Sequence, residues 1–229
     1  DTSEHFKVYR RRDFSLEQAL KVVNWHDLAM NGMRSQSRVV KDGARTAVTC
    51  CENGAGGRVF VKAFRQDSMK ERVKDVFRFR SRARKAWVAH RAFRVRDVPA
   101  APGLCLLESR SAFNGRPDYL ITRDPESMAD LQVLAQAQAK NHRRHDELRL
   151  TPPERRELSV SVAQLFRSMA DNRVRHRDMK PSNVLVRREE RGFRLWLVDM
   201  DRARVEIDWN RRLWAYHLAQ CNAGLDEGI

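Results

Sequence analysis

A chain of 229 residues with 41% hydrophobic and 33% charged side chains is long enough for one substantial core or two small lobes around a cleft, and this balance excludes wholesale disorder. No apolar run approaches the roughly 20 residues that span a bilayer, and the charged N-terminus lacks the apolar segment of an export signal; the expectation is a cytoplasmic protein. The formal net charge of +15 favours polyanionic partners such as nucleic acid, anionic lipid or phosphorylated glycan.

In chain order, a polar and basic start gives way at Ser15 to a helix signal. Ser15 can cap while Gln18 reaches back, and Leu16, Leu20 and Val23 fall on one stripe, expected to pack on the first lobe. From Ser37 to Phe64 the pattern changes to short extended runs, VV at 39–40, TAVTCC at 46–51 and RVFVKAF at 58–64, broken by the turns DG at 42–43 and NGAGG at 53–57. Between Lys70 and Arg96 cations face only Glu71 and Asp75, which gives either a solvated helix face or a docking surface for an anionic substrate or membrane. DVPAAPG at 97–103 stops that helix, and LCLLES at 104–109 and DYLITR at 118–123 add two strands around SAFNGRP. Cys50, Cys51, Cys105 and Cys221 form no CxxC pair and read as reduced thiols.

Beyond Pro125 the chain turns helical, over 127–142 and again from Thr151, where Pro152 takes the first position and Glu154 closes a capping box. Leu158, Val162, Leu165 and Met169 recur at helical spacing and should face a core. The His142–Arg143–Arg144–His145 group has HxxH spacing but no third ligand and reads as a basic helix end. After Asn172 comes RHRDMKPSNVLV, and the runs VLV at 184–186 and RLWLVD at 194–199 flank RREERG as a hairpin. The expected division is 1–124, an N-terminal extension and sheet lobe, and 125–229, a compact and mainly helical lobe.

The chemistry concentrates in HRDMKPSN at 176–183 and VDMD at 198–201. Phosphoryl transfer needs a carboxylate beside the attacking hydroxyl, a cation for phosphate charge, and hard oxygen ligands for magnesium. Asp178, Lys180 and Asn183 supply one of each, and the returning hairpin brings the carboxylate of Asp199. The eight-residue segment resembles the catalytic loop HRDxxxxN of the protein-kinase-like superfamily, in the helix-loop-hairpin context that loop requires. The resemblance implies an α+β, two-lobed fold with a small antiparallel-sheet N-lobe. It also implies that Asp199 is the metal-binding aspartate, that Lys62 in VFVKAF contacts nucleotide phosphates, and that Thr122 to Glu126 presents backbone groups to adenine. Gly43 is all that remains of a glycine-rich loop, and the helix position that usually carries the lysine's glutamate partner holds Ala86. Glu71 or Asp75 can substitute there, or activity is weak, which keeps a pseudokinase reading open.

SRARKAW followed by VPAAP, HRDMKPSNVLV and LVDMDRAR together resemble the bacterial lipopolysaccharide core kinases, which phosphorylate Kdo or heptose sugars, over roughly residues 36–218. That resemblance implies ATP and Mg2+ as cofactors and transfer of the γ-phosphate to a core-sugar hydroxyl. It places the enzyme at the inner face of the inner membrane of a Gram-negative bacterium, with anionic lipopolysaccharide core and the membrane surface as partners. Aminoglycoside or choline phosphotransferases share the loop but bind cationic substrates, which a +15 chain fits poorly. Activity on proteins is a further alternative, and specific nucleic-acid binding has no recognisable module behind it.

Overall fold

The alternating apolar residues of the first half pair, in the computed structural model, into a six-stranded antiparallel sheet of order β1-β5-β6-β4-β3-β2. Its strands are β1 (Phe6–Arg10), β2 (Ser37–Asp42), β3 (Thr46–Glu52), β4 (Arg58–Phe64), β5 (Gly103–Ser109) and β6 (Asp118–Arg123). The structure describes residues 4–52, 57–65, 81–110, 116–138, 147–206 and 211–226. Glu71, Asp75, the His142–His145 group and most residues of the NGAGG and SAFNGRP turns lie outside them.

The chain divides into two compact units, Asp1–Val88 with Pro102–Asp124, and Ala89–Ala101 with Pro125–Ile229. In the first, helix α1 (Leu16–Met30) starts at a complete capping box: Gln18 N–H donates to Ser15 Oγ at 3.0 Å and Ser15 N–H to Gln18 Oε1 at 2.9 Å. The helix buries Ala19, Val22, Val23 and His26 against Val59, Val61, Ala63, Tyr119 and Ile121 on one sheet face. Leu20, expected on the buried stripe, is 39% exposed; the contact face lies one residue round the helix, centred on Ala19 and Val23. The opposite sheet face carries Phe64, Leu106 and Leu120 under Ala83, Ala86 and Trp87 of helix α2 (Arg82–Val95). Strand β1 is the element that the polar start conceals: Phe6 and Val8 alternate inward while Lys7 is exposed.

The second unit holds β7 (Ala129–Asp130), α3 (Leu131–Gln138), α4 (Pro152–Asp171), β8 (Val174–Arg175), β9 (Val184–Arg188), β10 (Phe193–Leu197), β11 (Arg204–Val205) and α5 (Arg211–Asp226). The helix expected from 127 begins only at Leu131, because Asp130 Oδ1 accepts the Val133 N–H at 2.9 Å and so caps it, after a short strand. The Thr151–Glu154 capping box of α4 is present. Leu165 and Met169 are buried, with Leu158 and Val162 packed against their cluster. Residues 89–101, expected with the first lobe, group with this unit because Ala89, Phe93 and Val98 enter its core beside Leu134, Phe166, Met179 and Leu197.

All four cysteines are free and buried. Burial raises every thiol, Cys51 to about 11 and Cys105 to about 12, so they stay protonated and poorly nucleophilic. Among the described residues no helix is long and apolar enough to cross a membrane.

Candidate active site

The loop between β8 and β9 is built around a buried imidazole. His176 is fully buried, and its Nε2 lies 2.8 Å from the Val198 carbonyl oxygen. A carbonyl only accepts, so Nε2 carries the proton. Desolvation lowers the His176 pKa, and the ring is neutral and fixed. This bond ties the loop to the residue before Asp199, so His176 braces the loop, while the neighbouring Arg177 side chain is exposed.

From that anchor the loop folds on itself. Lys180 N–H donates to the Asp178 carbonyl at 2.9 Å, Asn183 N–H to the Lys180 carbonyl at 2.9 Å, and Pro181–Asn183 form one 3-10 turn. Lys180 Nζ stands 3.3 Å from Asp178 Oδ1, the two side chains 60% and 27% exposed. The Asp178 carboxylate is therefore partly open to solvent and has a cation at hand. Asn183 Nδ2 donates to the Asp178 carbonyl at 2.8 Å, which leaves Oδ1 as the oxygen with which Asn183 can serve a cation.

The hairpin brings in Asp199. Val184 pairs with Leu197 across β9 and β10, and Val198 N–H donates to the Asn183 carbonyl at 3.0 Å. Asn183 and Asp199 thus sit side by side at one hairpin end. Asp199 adopts φ 59°, ψ 55°, a left-handed conformation that L-residues avoid and that clusters at functional sites. Among the described residues no three His, Cys, Asp or Glu side chains converge on a point. One carboxylate and one amide oxygen fit Mg2+, which keeps waters and phosphate oxygens as its remaining ligands.

A residue that the motif does not reveal completes this arrangement. Gln220 on α5 accepts the Met179 N–H through Oε1 at 3.3 Å and approaches the Arg177 carbonyl through Nε2 at 3.4 Å. It grips the backbone on both sides of Asp178. Only its place within a helix of mixed polarity marks it in the sequence, and neither its spacing nor its type signals the contact.

In the first unit, Lys62 lies in mid-β4, paired with Val48 of β3 and Leu120 of β6. Its Nζ is 5.1 Å from the Phe64 ring centroid, on the face that α2 covers. Ala86 is 1% exposed among Phe64, Trp87 and Leu106, so this helix position meets the sheet with a methyl group and supplies no carboxylate. Gly43 sits in the β2–β3 turn, where its N–H is given to the Thr46 carbonyl at 3.1 Å. Thr122 pairs with Phe60 and Gly103 near the end of β6. Glu126, at φ 57°, belongs to the second unit with its carboxylate 4.0 Å from Arg187 Nη1. Asp178, Lys180, Asn183 and Asp199 are brought together within one unit, while Lys62, Gly43 and Thr122 belong to the other.

Comparison with known proteins gives one family, described as the lipopolysaccharide kinase (Kdo/WaaP) family, matching residues 31–221. No curated protein matches the chain. Among solved structures it is similar to WaaP in complex with acyl carrier protein, with 19% identity, TM-score 0.62, and coverage of 95% of this chain and 80% of that one. The kinase domain of maize SIRK1 (sucrose-induced receptor kinase 1) bound to AMP-PNP aligns at 14% identity and TM-score 0.49 over 85% of this chain and 57% of that one.

Proposed function

We infer the reaction from family and site together: the chain belongs to the lipopolysaccharide kinase (Kdo/WaaP) family, and Asp178, Lys180, Asn183 and Asp199 form a phosphoryl-transfer site within it. The substrate pair we propose is Mg-ATP and a hydroxyl of an inner-core sugar, heptose or Kdo. The observation that carries this reading is the partly exposed Asp178 carboxylate with Lys180 Nζ at 3.3 Å, on a loop whose other end presents Asn183 beside Asp199.

Asp178 orients the acceptor hydroxyl and takes its proton as the oxygen attacks the γ-phosphorus and the bond to the bridging oxygen breaks, releasing ADP. Lys180 sets positive charge beside the transferred group, and Lys62 does the same for the nucleotide from the rigid sheet. Asn183 and Asp199 would hold Mg2+, which supplies charge neutralisation on the phosphate oxygens. Residues from Thr122 to Glu126 offer backbone groups to adenine, and the turn around Gly43 covers the phosphates. The net charge of +15 supports an anionic acceptor and work at the inner face of an inner membrane.

The test is transfer of label from γ-labelled Mg-ATP to dephosphorylated lipopolysaccharide core. The native chain should label the core, and Asp178→Asn should lower the rate by about 10²- to 10⁴-fold, the range for loss of a positioned base. Undiminished transfer by that variant would sink the assignment of Asp178. Tight nucleotide binding with no labelled acceptor would replace the kinase reading with a nucleotide-binding one, and the buried methyl of Ala86 would then be its structural basis.

A further inference from the structure

The strand that carries Lys62 ends in Arg65, and Arg65 fastens the β2–β3 turn. Alternation along β4 sends Lys62 and Phe64 to one sheet face and Val61, Ala63 and Arg65 to the other. From there Arg65 Nη1 donates to Asp42 Oδ1 at 2.8 Å and to the Gly43 carbonyl at 3.1 Å. Its backbone N–H donates to the Arg45 carbonyl at 3.1 Å, and Gly43 N–H closes onto the Thr46 carbonyl at 3.1 Å. The segment from Asp42 to Thr46 is thus tied at its carboxylate, at two carbonyls and across its own base.

A turn that covers phosphates ordinarily owes its close approach to several glycines. This one has only Gly43, which is not among the residues of positive φ, so glycine freedom does not set its shape. The guanidinium does. The ion pair is no major source of stability, because its side chains are 36% and 55% exposed and exposed pairs contribute little. Its specific product is the position of the turn.

We propose that Arg65 is a positioning residue for the nucleotide: it holds the β2–β3 turn at a fixed height and sets Mg-ATP affinity through the turn, without touching phosphate itself. This rests on the kinase reading above, in which that turn covers the phosphates.

The experiment compares native enzyme with Arg65→Ala, Arg65→Lys, Asp42→Ala and the Asp42→Ala/Arg65→Ala double variant. It measures kcat and KM for Mg-ATP at saturating acceptor, together with hydrogen exchange of the 43–46 amides. Arg65→Ala should raise KM about tenfold with kcat within about twofold, the pattern of lost nucleotide binding. Arg65→Lys should recover part of it, and Asp42→Ala should add little on top of Arg65→Ala, because the two residues act as one unit. Exchange of the turn amides should quicken in Arg65→Ala. Faster exchange with unchanged KM would overturn the role, as would unchanged exchange, or a fall in kcat that tracks a fall in melting temperature. If Lys62→Ala also leaves nucleotide affinity untouched, the kinase reading itself has failed, and the exchange data still report separately whether the clasp exists.

Discussion

Two backbone groups flank Asp178 along the chain, the Arg177 carbonyl and the Met179 N–H, and the amide of Gln220 engages both. A primary amide donates and accepts from a single planar, neutral head, so glutamine answers both groups without adding charge beside the Asp178 carboxylate. The bonds are long, and what they govern is the aim of Asp178, where a displacement of about 1 Å can cost on the order of 10²-fold in rate. Gln220→Ala should therefore lower kcat by about tenfold, while KM for Mg-ATP stays within about twofold. Gln220→Glu should do no better, since a carboxylate cannot donate to the Arg177 carbonyl. Steady-state kinetics at saturating acceptor check both variants; an unchanged kcat in Gln220→Ala would remove Gln220 from the site. Legibility differs sharply between these residues. Asp178, Lys180, Asn183 and Asp199 lie within 22 positions and stand out as a spaced motif, whereas Gln220 meets the loop only through the fold, from a helix with no local reason to touch it.

At the level of elements, three helices end alike. After α1, Gly32 N–H donates to the Ala29 carbonyl at 3.1 Å and Met33 N–H to the Leu28 carbonyl at 2.9 Å; after α2, Asp97 N–H donates to the Arg94 carbonyl at 3.2 Å and Val98 N–H to the Phe93 carbonyl at 3.0 Å. Both are Schellman closures around a left-handed residue, Gly32 at φ 70° and Asp97 at φ 52°. After α4, Arg173 takes the same place at φ 53°, donating to the Ala170 carbonyl at 3.0 Å. Sequence reading credits the end of α2 to the prolines at 99 and 102, but the stop is Asp97, and Pro99 merely follows it. An L-residue pays about 1 kcal/mol for that conformation where glycine does not. Asp97→Gly should thus stabilise the protein by about 0.5–1 kcal/mol, and Gly32→Ala should destabilise it by about 1 kcal/mol. Denaturant midpoints test the pair, and a loss of stability in Asp97→Gly would show that the aspartate side chain does more than fill the turn. Helix starts were readable for a reason that helix stops were not: the Ser15–Gln18 and Thr151–Glu154 boxes are side-chain chemistry, while a stop at Asp97 or Arg173 resides in backbone dihedrals. Strand β1 was hidden because its partner among the described residues is β5, almost a hundred residues on, and its exposed residues, Lys7 and Arg10, are charged.

For the molecule as a whole, no Lys or Arg among the described residues is buried, whereas the imidazoles of His26, His176 and His217 are, and these decide how stability responds to acid. His26 in the first unit is 1% exposed, with Nδ1 2.8 Å from Thr49 Oγ1 and its ring 5.8 Å from that of Tyr119. Burial and the Arg65 guanidinium push it down to about 4, against an opposing pull from Asp42. In the second unit His217 is fully buried, and burial with Arg175 and His176 nearby brings it also to about 4. Both imidazoles are neutral in the folded chain and protonate near 6.5 in the unfolded one. Below pH 6.5 the unfolded state binds protons that the native state refuses, so stability is fully present above that value and is lost as pH falls toward 4. Each histidine should remove about 2 kcal/mol between pH 8 and pH 5. His176, lowered in the same direction, adds to the loss. The carboxyls of Asp27 and Asp130, raised by burial, act in the opposite sense and soften the acid end of the curve. Unfolding by urea at pH 8, 7 and 5 checks this: the midpoint should hold between 8 and 7, fall steeply by 5, and fall less in His26→Gln, which keeps a hydrogen-bonding partner for Thr49 but cannot titrate. A midpoint flat from pH 7 to 5 would mean that the buried imidazoles are hydrated and protonate freely in the native state, and the closed packing of α1 on the sheet and of α5 in the second unit would both have to be revised.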